Sequence, residues 1–349
     1  MAINGVAFHP KAFRMAIQAQ TALGAALTNG MQEINIDSFT TGTWGGINNY
    51  DVKSGGGRIL QDEHYFHQNS DYVSEITVSG IYSTQFAGLI ENITADTSEV
   101  FEVASNYGPT AEIRDGASAL TAANHELLTL ALLPPKYGTD ATPSATDGFF
   151  YKDCVVTDFS LSGDMATDGG LVRYSATFKT KTPVSGNVDA SGYTIAAYLL
   201  NAANTLTISD WQDSAYRIIG GQADSIVNSF SLNLGNDAIY LGRQAAGVPE
   251  VISRQGEFSA TADFNIKYDP GSRALFETWS GAAPGVTSGK TLMSNASTPA
   301  TGASWGFEFP QSVFTNMAYS EGDIMNIDVS TKMVGFGAGE QTVCLKIAD

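Results

Sequence analysis

The chain has 349 residues, of which 43% are hydrophobic, so it is long enough for two domains with filled cores. Its 36 acidic and 18 basic residues give a net charge of −18, which excludes proteins that wrap nucleic acid through clustered Lys and Arg. No apolar signal segment and no run of about 18 apolar residues is present, so we expect folding in a cytoplasm and no membrane partner.

Residues 1–30 are predicted to form an N-terminal arm or helix. The segment HPKAFRMAIQAQTALGAAL resembles an amphipathic helix, with Phe13, Ile17 and Leu23 as its apolar positions.

Residues 31–190 are predicted to form a first domain of half-buried antiparallel strands. The strand INIDSF (Ile34–Phe39) precedes a Gly-rich loop and a long strand, and YSTQFAGLIE (Tyr82–Glu91) predicts a short amphipathic helix. An insertion at about 96–147 precedes the closing hairpin, which begins with GFFYKDCVVTDFSLS and ends with LVRYSATFKTKT. Two cysteines make no disulfide framework, and we expect Cys154, in the first hairpin strand, to be a small buried hydrophobe.

Residues 191–223 are predicted to be a linker and entry strand, and residues 224–349 a second domain with the same order of elements. IVNSF (Ile226–Phe230) matches the first strand, and YDPGSRALFE (Tyr268–Glu277) predicts a helix with Asp269 as its N-cap and Pro270 as its first residue. GFEFPQSVFTNMAYS and IMNIDVSTKMV match the closing hairpin. Four matching blocks in the same order predict a mainly β chain with two homologous domains in tandem, each with one short α-helix.

Two motifs in this sequence look like functional sites, but each lacks a feature that such a site requires. In QDEHYFHQ, His64 and His67 point to opposite faces of a strand, so we expect a polar surface segment rather than a metal site. GVTSGKT has Pro284 where a phosphate loop needs glycine. No nucleophile elbow or Cys–His pair occurs, so we expect no enzyme, no cofactor and no bound metal.

The repeated blocks resemble the major tail proteins, or tail tube proteins, of long-tailed bacteriophages of the siphovirus type. The resemblance covers about residues 10–349. The sequences that carry it are ITVSGIYSTQFAGLIE and FNIKYDPGSRALFE, the strand VNSFSLNLG, the hairpin VVTDFSLSGD…LVRYSATFKTKT and the opening AIQAQTALGAAL. It implies that each domain is a β-sandwich or half-barrel flanked by one helix. It also implies that six domains close into a ring with a continuous inner β-barrel, and that rings stack into a hollow tube.

The resemblance also implies that a long loop in each domain reaches the next ring. The matching loops are Thr40–Gly57 and Asn236–Glu250, and the alternative is that both are ordinary flexible loops. Large apolar residues in both loops favour a contact. The contact residues that we predict are Trp44, Asn49, Tyr50, Ile239, Tyr240 and Leu241.

Six ring positions can be filled by three chains of two domains, so we expect a homotrimeric, pseudo-hexameric ring. The alternative is a sixfold ring of whole chains whose second domains decorate the outside. The polar faces of the long strands are predicted to line a net-negative channel, along which DNA slides without adhering. The predicted lining residues are Glu75, Thr77, Ser79, Glu257, Thr261 and Asp263.

For a tube subunit, the resemblance implies the virion tail as location, after assembly in the cytoplasm of the host bacterium. Its partners would be further copies of the chain, the tape-measure protein and then phage DNA in the lumen, and tail-terminator and tail-tip proteins at the ends. Two other hypotheses stay open: a β-sandwich adhesin that binds a receptor or carbohydrate, and a capsid-decorating or head–tail joining protein. The acidic turns SGDMATDGG and SEGD suit the adhesin, although they lack the spacing of an EF-hand.

Overall fold

The structure is a computed structural model. It describes residues 13–20, 22–24, 31–40, 47–51, 65–69, 73–82, 127–133, 135–136, 139–143, 148–182, 185–188, 195–196, 205–211, 217–223, 226–244, 247–256, 258–281, 288–294, 306–320, 324–334 and 344–346.

The chain is mainly β, as predicted, and all but one of its described strand pairs are antiparallel. The strands of the first half are β1 (Arg14–Ala19), β2 (Met31–Ile34), β3 (Ser38–Thr40), β4 (Ile47–Asp51), β5 (Tyr65–Asn69), β6 (Ser74–Ile81), β7 (Leu128–Leu133), β8 (Pro135–Lys136), β9 (Thr139–Pro143), β10 (Gly148–Asp164), β11 (Arg173–Thr180) and β12 (Ser185–Val188).

The described residues of the second half add eleven strands and the helix α1. Their bounds are β13 (Ile195–Ala196), β14 (Arg217–Ile219), β15 (Gln222–Ala223), β16 (Val227–Gly235), β17 (Ala238–Leu241), β18 (Val251–Arg254), β19 (Ser259–Lys267), α1 (Pro270–Gly281), β20 (Ser288–Ser294), β21 (Gly306–Ser320), β22 (Asn326–Met333) and β23 (Cys344–Lys346). Two 3-10 turns lie at Asp168–Gly170 and Ile208–Trp211.

Eight strands form one sheet that runs through both halves, which we call the shared sheet. Its order is β3, β6, β11, β10, β16, β19, β22, β21. β10 and β16 join the halves over seven residue pairs, from Asp158–Gly235 to Asp164–Ser229. The predicted domain boundary near residue 190 is therefore a boundary along the chain, and the sheet continues across it.

Two side sheets extend from the first residues of β10 and β21. The first contains β13, β2, β1, β7, the start of β10 and β12. The second contains β15, β14, β20, the start of β21 and β23. The inward side chains of the shared sheet form one core with residues of both side sheets and with Leu275 of α1.

The N-terminal helix prediction is wrong for residues 14–19, which form strand β1 between β2 and β7. Met15, Ala16 and Ile17 are all buried, because one face of the first side sheet meets the main core and the other meets a smaller cluster. A short apolar run that is covered on both faces suits a strand as well as a buried helix, and here the pairing with two neighbouring strands decides.

The predicted insertion at 96–147 contains part of the core. Every residue of β7, LTLALL, is buried, and β7 pairs with both β1 and β10. By contrast, the second predicted helix is confirmed as α1. It begins at Pro270, and the Ser272 backbone N–H donates to Asp269 Oδ1 at 2.9 Å. The first predicted helix, Tyr82–Glu91, lies outside the described residues except for Tyr82.

Candidate assembly surface

The outward face of the shared sheet is a polar surface of short side chains. Strand alternation buries every second residue and leaves Ser, Thr, Asn and Asp in most of the other positions. Paired residues continue this surface from strand to strand. One row runs Ser38, Ser79, Ser175, Ser160, Asn233, Thr261 and Lys332, and the next runs Arg173, Ser162, Ser231, Asp263, Ser330 and Asn316.

Many of these polar groups bond to one another across strands. The hydroxyls of Ser38 and Ser79 are 2.7 Å apart, and those of Thr77 and Thr177 are 3.1 Å apart. Asn265 Nδ2 donates to Asp328 Oδ1 at 2.6 Å. Such pairs stabilise neighbouring strands and use donors that would otherwise bind a passing ligand.

The strand residues of this face carry a small negative excess, and the whole chain carries −18. The carboxylates of Asp37, Asp168 and Asp237, which pair with Arg173 and Lys179, add to this excess. The net-negative wall that we expected therefore stays a prediction. On the strands themselves, the five carboxylates and four basic groups are Glu75, Asp158, Asp164, Asp263, Asp328, Arg173, Lys179, Lys267 and Lys332.

Ion pairs hold two of the basic groups in place. Lys179 Nζ lies 2.9 Å from Asp237 Oδ1 and 3.4 Å from Glu75 Oε1. Burial lowers the pKa of Lys179, but the hydrogen bond and the charges of these two carboxylates outweigh it, and the net shift is upward. Hydrogen bonds that the Arg173 guanidinium donates to Asp168 and Asp37 likewise raise the pKa of Arg173.

The predicted lining residues lie on this one face where the structure describes them. Glu75, Thr77 and Ser79 belong to β6, and Thr261 and Asp263 belong to β19. Their side chains point away from the core that contains Leu275 of α1. Glu257 lies outside the described residues. That this face lines a channel stays a prediction.

Each of the two predicted contact loops contains the first strand of a two-stranded hairpin, and the second strand lies beyond the predicted end of the loop. In the first, Asn49 pairs with His67 and Tyr50 pairs with Phe66, while Trp44 lies outside the described residues. In the second, Ile239 and Tyr240 pair with Ser253 and Ile252, and Leu241 pairs with Val251. Both hairpins lie between the first two strands that their half contributes to the shared sheet, β3 and β6 in one case and β16 and β19 in the other.

The β17–β18 hairpin has an anchored base and two exposed apolar side chains next to its tip. Tyr240 is buried, and its hydroxyl donates to the Lys179 carbonyl at 2.5 Å, so its ring packs within its own chain rather than on a neighbour. Arg254 Nη1 donates to the carbonyls of Val156 and Asn236 at 2.7 and 2.5 Å. Leu241 and Val251, next to the tip, are 49% and 38% exposed.

Apolar side chains are also exposed at the opposite end of the shared sheet. There Met165 follows β10, Ile226 precedes β16, and Ile324 and Met325 precede β22; all four are at least 44% exposed. Backbone hydrogen bonds place these segments side by side, from Met165 N to Asn228 O and from Tyr268 N to Met325 O. We call this group the apolar rim. Sequence reasoning missed it, since its residues are isolated between polar stretches.

Side chains suited to metal binding do not gather in the described part of the chain. No group of three or more His, Cys, Asp or Glu there is arranged to hold a metal ion. Cys154 is fully buried, as predicted, and burial raises the pKa of its thiol. Among the helices that the structure describes, none is long and apolar enough to cross a membrane.

No model of a known protein family matches the sequence, and no curated protein sequence matches it either.

Proposed function

We propose that this protein is the structural subunit of a bacteriophage tail tube, and that its chain carries two copies of one domain. The observation that carries the proposal is the recurrence of strand pairings. Eight pairings of the first half have a counterpart in the second, in the same chain order. The equivalent strands are β1 and β14, β2 and β15, β3 and β16, β4 and β17, β5 and β18, β6 and β19, β7 and β20, β10 and β21, β11 and β22, β12 and β23.

The register of the pairings recurs together with their order. Ser38 pairs with Ser79 as Ser229 pairs with Asn265. These spacings, 191 and 186 residues, equal those between Phe39 and Phe230 and between Tyr82 and Tyr268 in the matched sequence blocks. The agreement between the spacing of the sequence blocks and the hydrogen-bond register supports duplication of a whole domain.

A β-bulge recurs at the equivalent place in both closing hairpins. The register of β10 against β11 shifts at Thr157, and that of β21 against β22 shifts at Thr315. The Thr157 hydroxyl donates to the Thr177 carbonyl at 3.4 Å, and the Thr315 hydroxyl to the Ser330 carbonyl at 3.2 Å. Alternation of apolar residues alone does not require a bulge, so its recurrence argues for common descent of the two halves.

The β10–β16 junction supports a ring of three chains. It sets the two domains side by side in one sheet, as neighbours in a ring must lie. A second domain that only decorated the outside would not continue this sheet. Three chains then supply six domains, and closure removes exposed sheet edges that would otherwise pair without control.

The polar face is the wall that we assign to the lumen. Its short, mutually bonded side chains and acidic excess offer no cluster of bases that would hold phosphate. Such a wall suits a channel that holds the tape-measure protein first and then passes DNA. Stacking of rings would bring the hairpin tip of one ring onto the apolar rim of the next, which buries apolar side chains from both ends of the sheet.

Electron microscopy of the purified chain tests the proposal. We expect rings or tubes with threefold symmetry in which each chain fills two neighbouring positions of a sixfold outline. A chain that stays monomeric at high concentration contradicts the tube, and a ring of six whole chains contradicts the trimer.

A further inference from the structure

We propose that strand β3 of one chain pairs with the end of β21 in a second copy of the chain, with Thr40 opposite Ser320. This inference rests on the proposed function and names the surface through which one chain meets the next. It concerns the two ends of the shared sheet.

Both ends of the shared sheet have a strand on one side only. β3 pairs with β6, and among the described residues no strand lies on its other side. In β21, residues 306–313 pair with β20, whereas beside residues 316–318 the described part of the chain places β22 alone. Open backbone edges of this kind are ready templates for strand addition.

The chain already contains the junction that would join these ends. β10 is the counterpart of β21 and β16 the counterpart of β3, and β10 and β16 pair directly, with Ser162 opposite Ser231. Shifting Ser162 by the 158 residues between the matched hairpins gives Ser320. Shifting Ser231 back by the 191 residues between the matched first strands gives Thr40.

The side chains at this predicted junction suit the pairing. Thr40 is exposed and Ser320 half-exposed, and both lie on the outward face, as Ser162 and Ser231 do. Small hydroxyl side chains opposite each other in an antiparallel pair are compatible and form hydrogen bonds. The polar face would therefore continue from one chain to the next with the same kind of small hydroxyl side chains.

A disulfide between the two positions tests the register. In a Cys344→Ser background, the Thr40→Cys, Ser320→Cys double variant places thiols directly opposite each other, within the reach of a disulfide. Cys154 stays because it is fully buried. After mild oxidation of assembled protein, we expect a covalent trimer on a non-reducing gel that returns to single chains on reduction.

Two control variants calibrate the result. Ser162→Cys with Ser231→Cys is the same geometric pair inside one chain, so we expect an internal disulfide and no covalent oligomer. Thr40→Cys with Ala318→Cys is two residues out of register, and we expect at least tenfold less trimer.

The outcomes separate this inference from the proposed function. Rings in the microscope without a 40–320 disulfide, while the internal control forms, overturn the strand pairing and leave the tube standing. A 40–320 disulfide within one chain also overturns it, because the sheet would then close on itself. Absence of rings, trimer and larger assemblies overturns both.

Discussion

Asp153 shows how one residue turns strand β10 from a side sheet into the shared sheet. It is fully buried and has a left-handed φ of 54°, and the register with β7 shifts between Tyr151 and Cys154. Its carboxylate accepts hydrogen bonds from Gln20 Nε2 at 3.0 Å, from the Gly24 backbone N–H at 2.7 Å and from the Thr182 hydroxyl. These donors come from segments on either side of β10, so Asp153 ties the bend to the rest of the first half.

At this scale we predict that Asp153→Ala lowers the free energy of unfolding by about 3–5 kcal/mol. The change leaves the donors of Gln20, Gly24 and Thr182 without their acceptor, and it leaves alanine in a left-handed conformation. Urea denaturation measures the loss, with Asp263→Ala on the exposed polar face as a control that should stay within about 0.5 kcal/mol of the parent protein. Equal losses for the two variants would show that the Asp153 contacts add nothing.

At the scale of elements, sequence reasoning succeeded where local chemistry decides. The cap at Asp269 and Pro270 marked the start of α1, and alternation marked β19 and β11. It failed for β1, since the same apolar residues suit a helix until β2 and β7 are placed beside them. It also treated the Asn236–Glu250 segment as a loop, although β17 begins there and its Tyr240 is held by a carbonyl 61 residues away.

The hairpin carries the second prediction. In the Leu241→Ser, Val251→Ser double variant the exposed tip loses its apolar surface while the anchored base is kept, so we expect rings to form and tubes to shorten or disappear. The length distribution of tubes in electron micrographs measures the effect. Ile324→Ser in the apolar rim should act in the same direction. Full-length tubes from both variants would show that stacking uses other surfaces.

At the scale of the whole molecule, the proposed function makes the polar face the surface along which DNA passes. Ser160, Asn233 and Thr261 form one row across β10, β16 and β19. Replacing all three with Arg should make tubes retain a short fluorescent DNA duplex at 50 mM salt and release it at 200 mM, because retention then depends on phosphate contacts.

A matched variant with Gln at the same three positions controls for bulk and should release the duplex at both salt concentrations, as the parent tubes should. If the Arg tubes release the duplex as readily as the Gln tubes, the polar face does not line the channel.

The sequence by itself determined the strand-rich composition, the alternation of each long strand, the cap of α1 and the order and spacing of the repeated blocks. These are local or periodic properties, and each is visible within a short stretch of chain. Only the tertiary structure decided that β1 is a strand, that β7 lies in the core, that Tyr240 is buried and that the two halves share one sheet. These features depend on partners far away in sequence, as when Asp153 meets Gln20 across 133 residues. Local pattern cannot select such partners, because many strands of this chain offer the same edge and the same alternation.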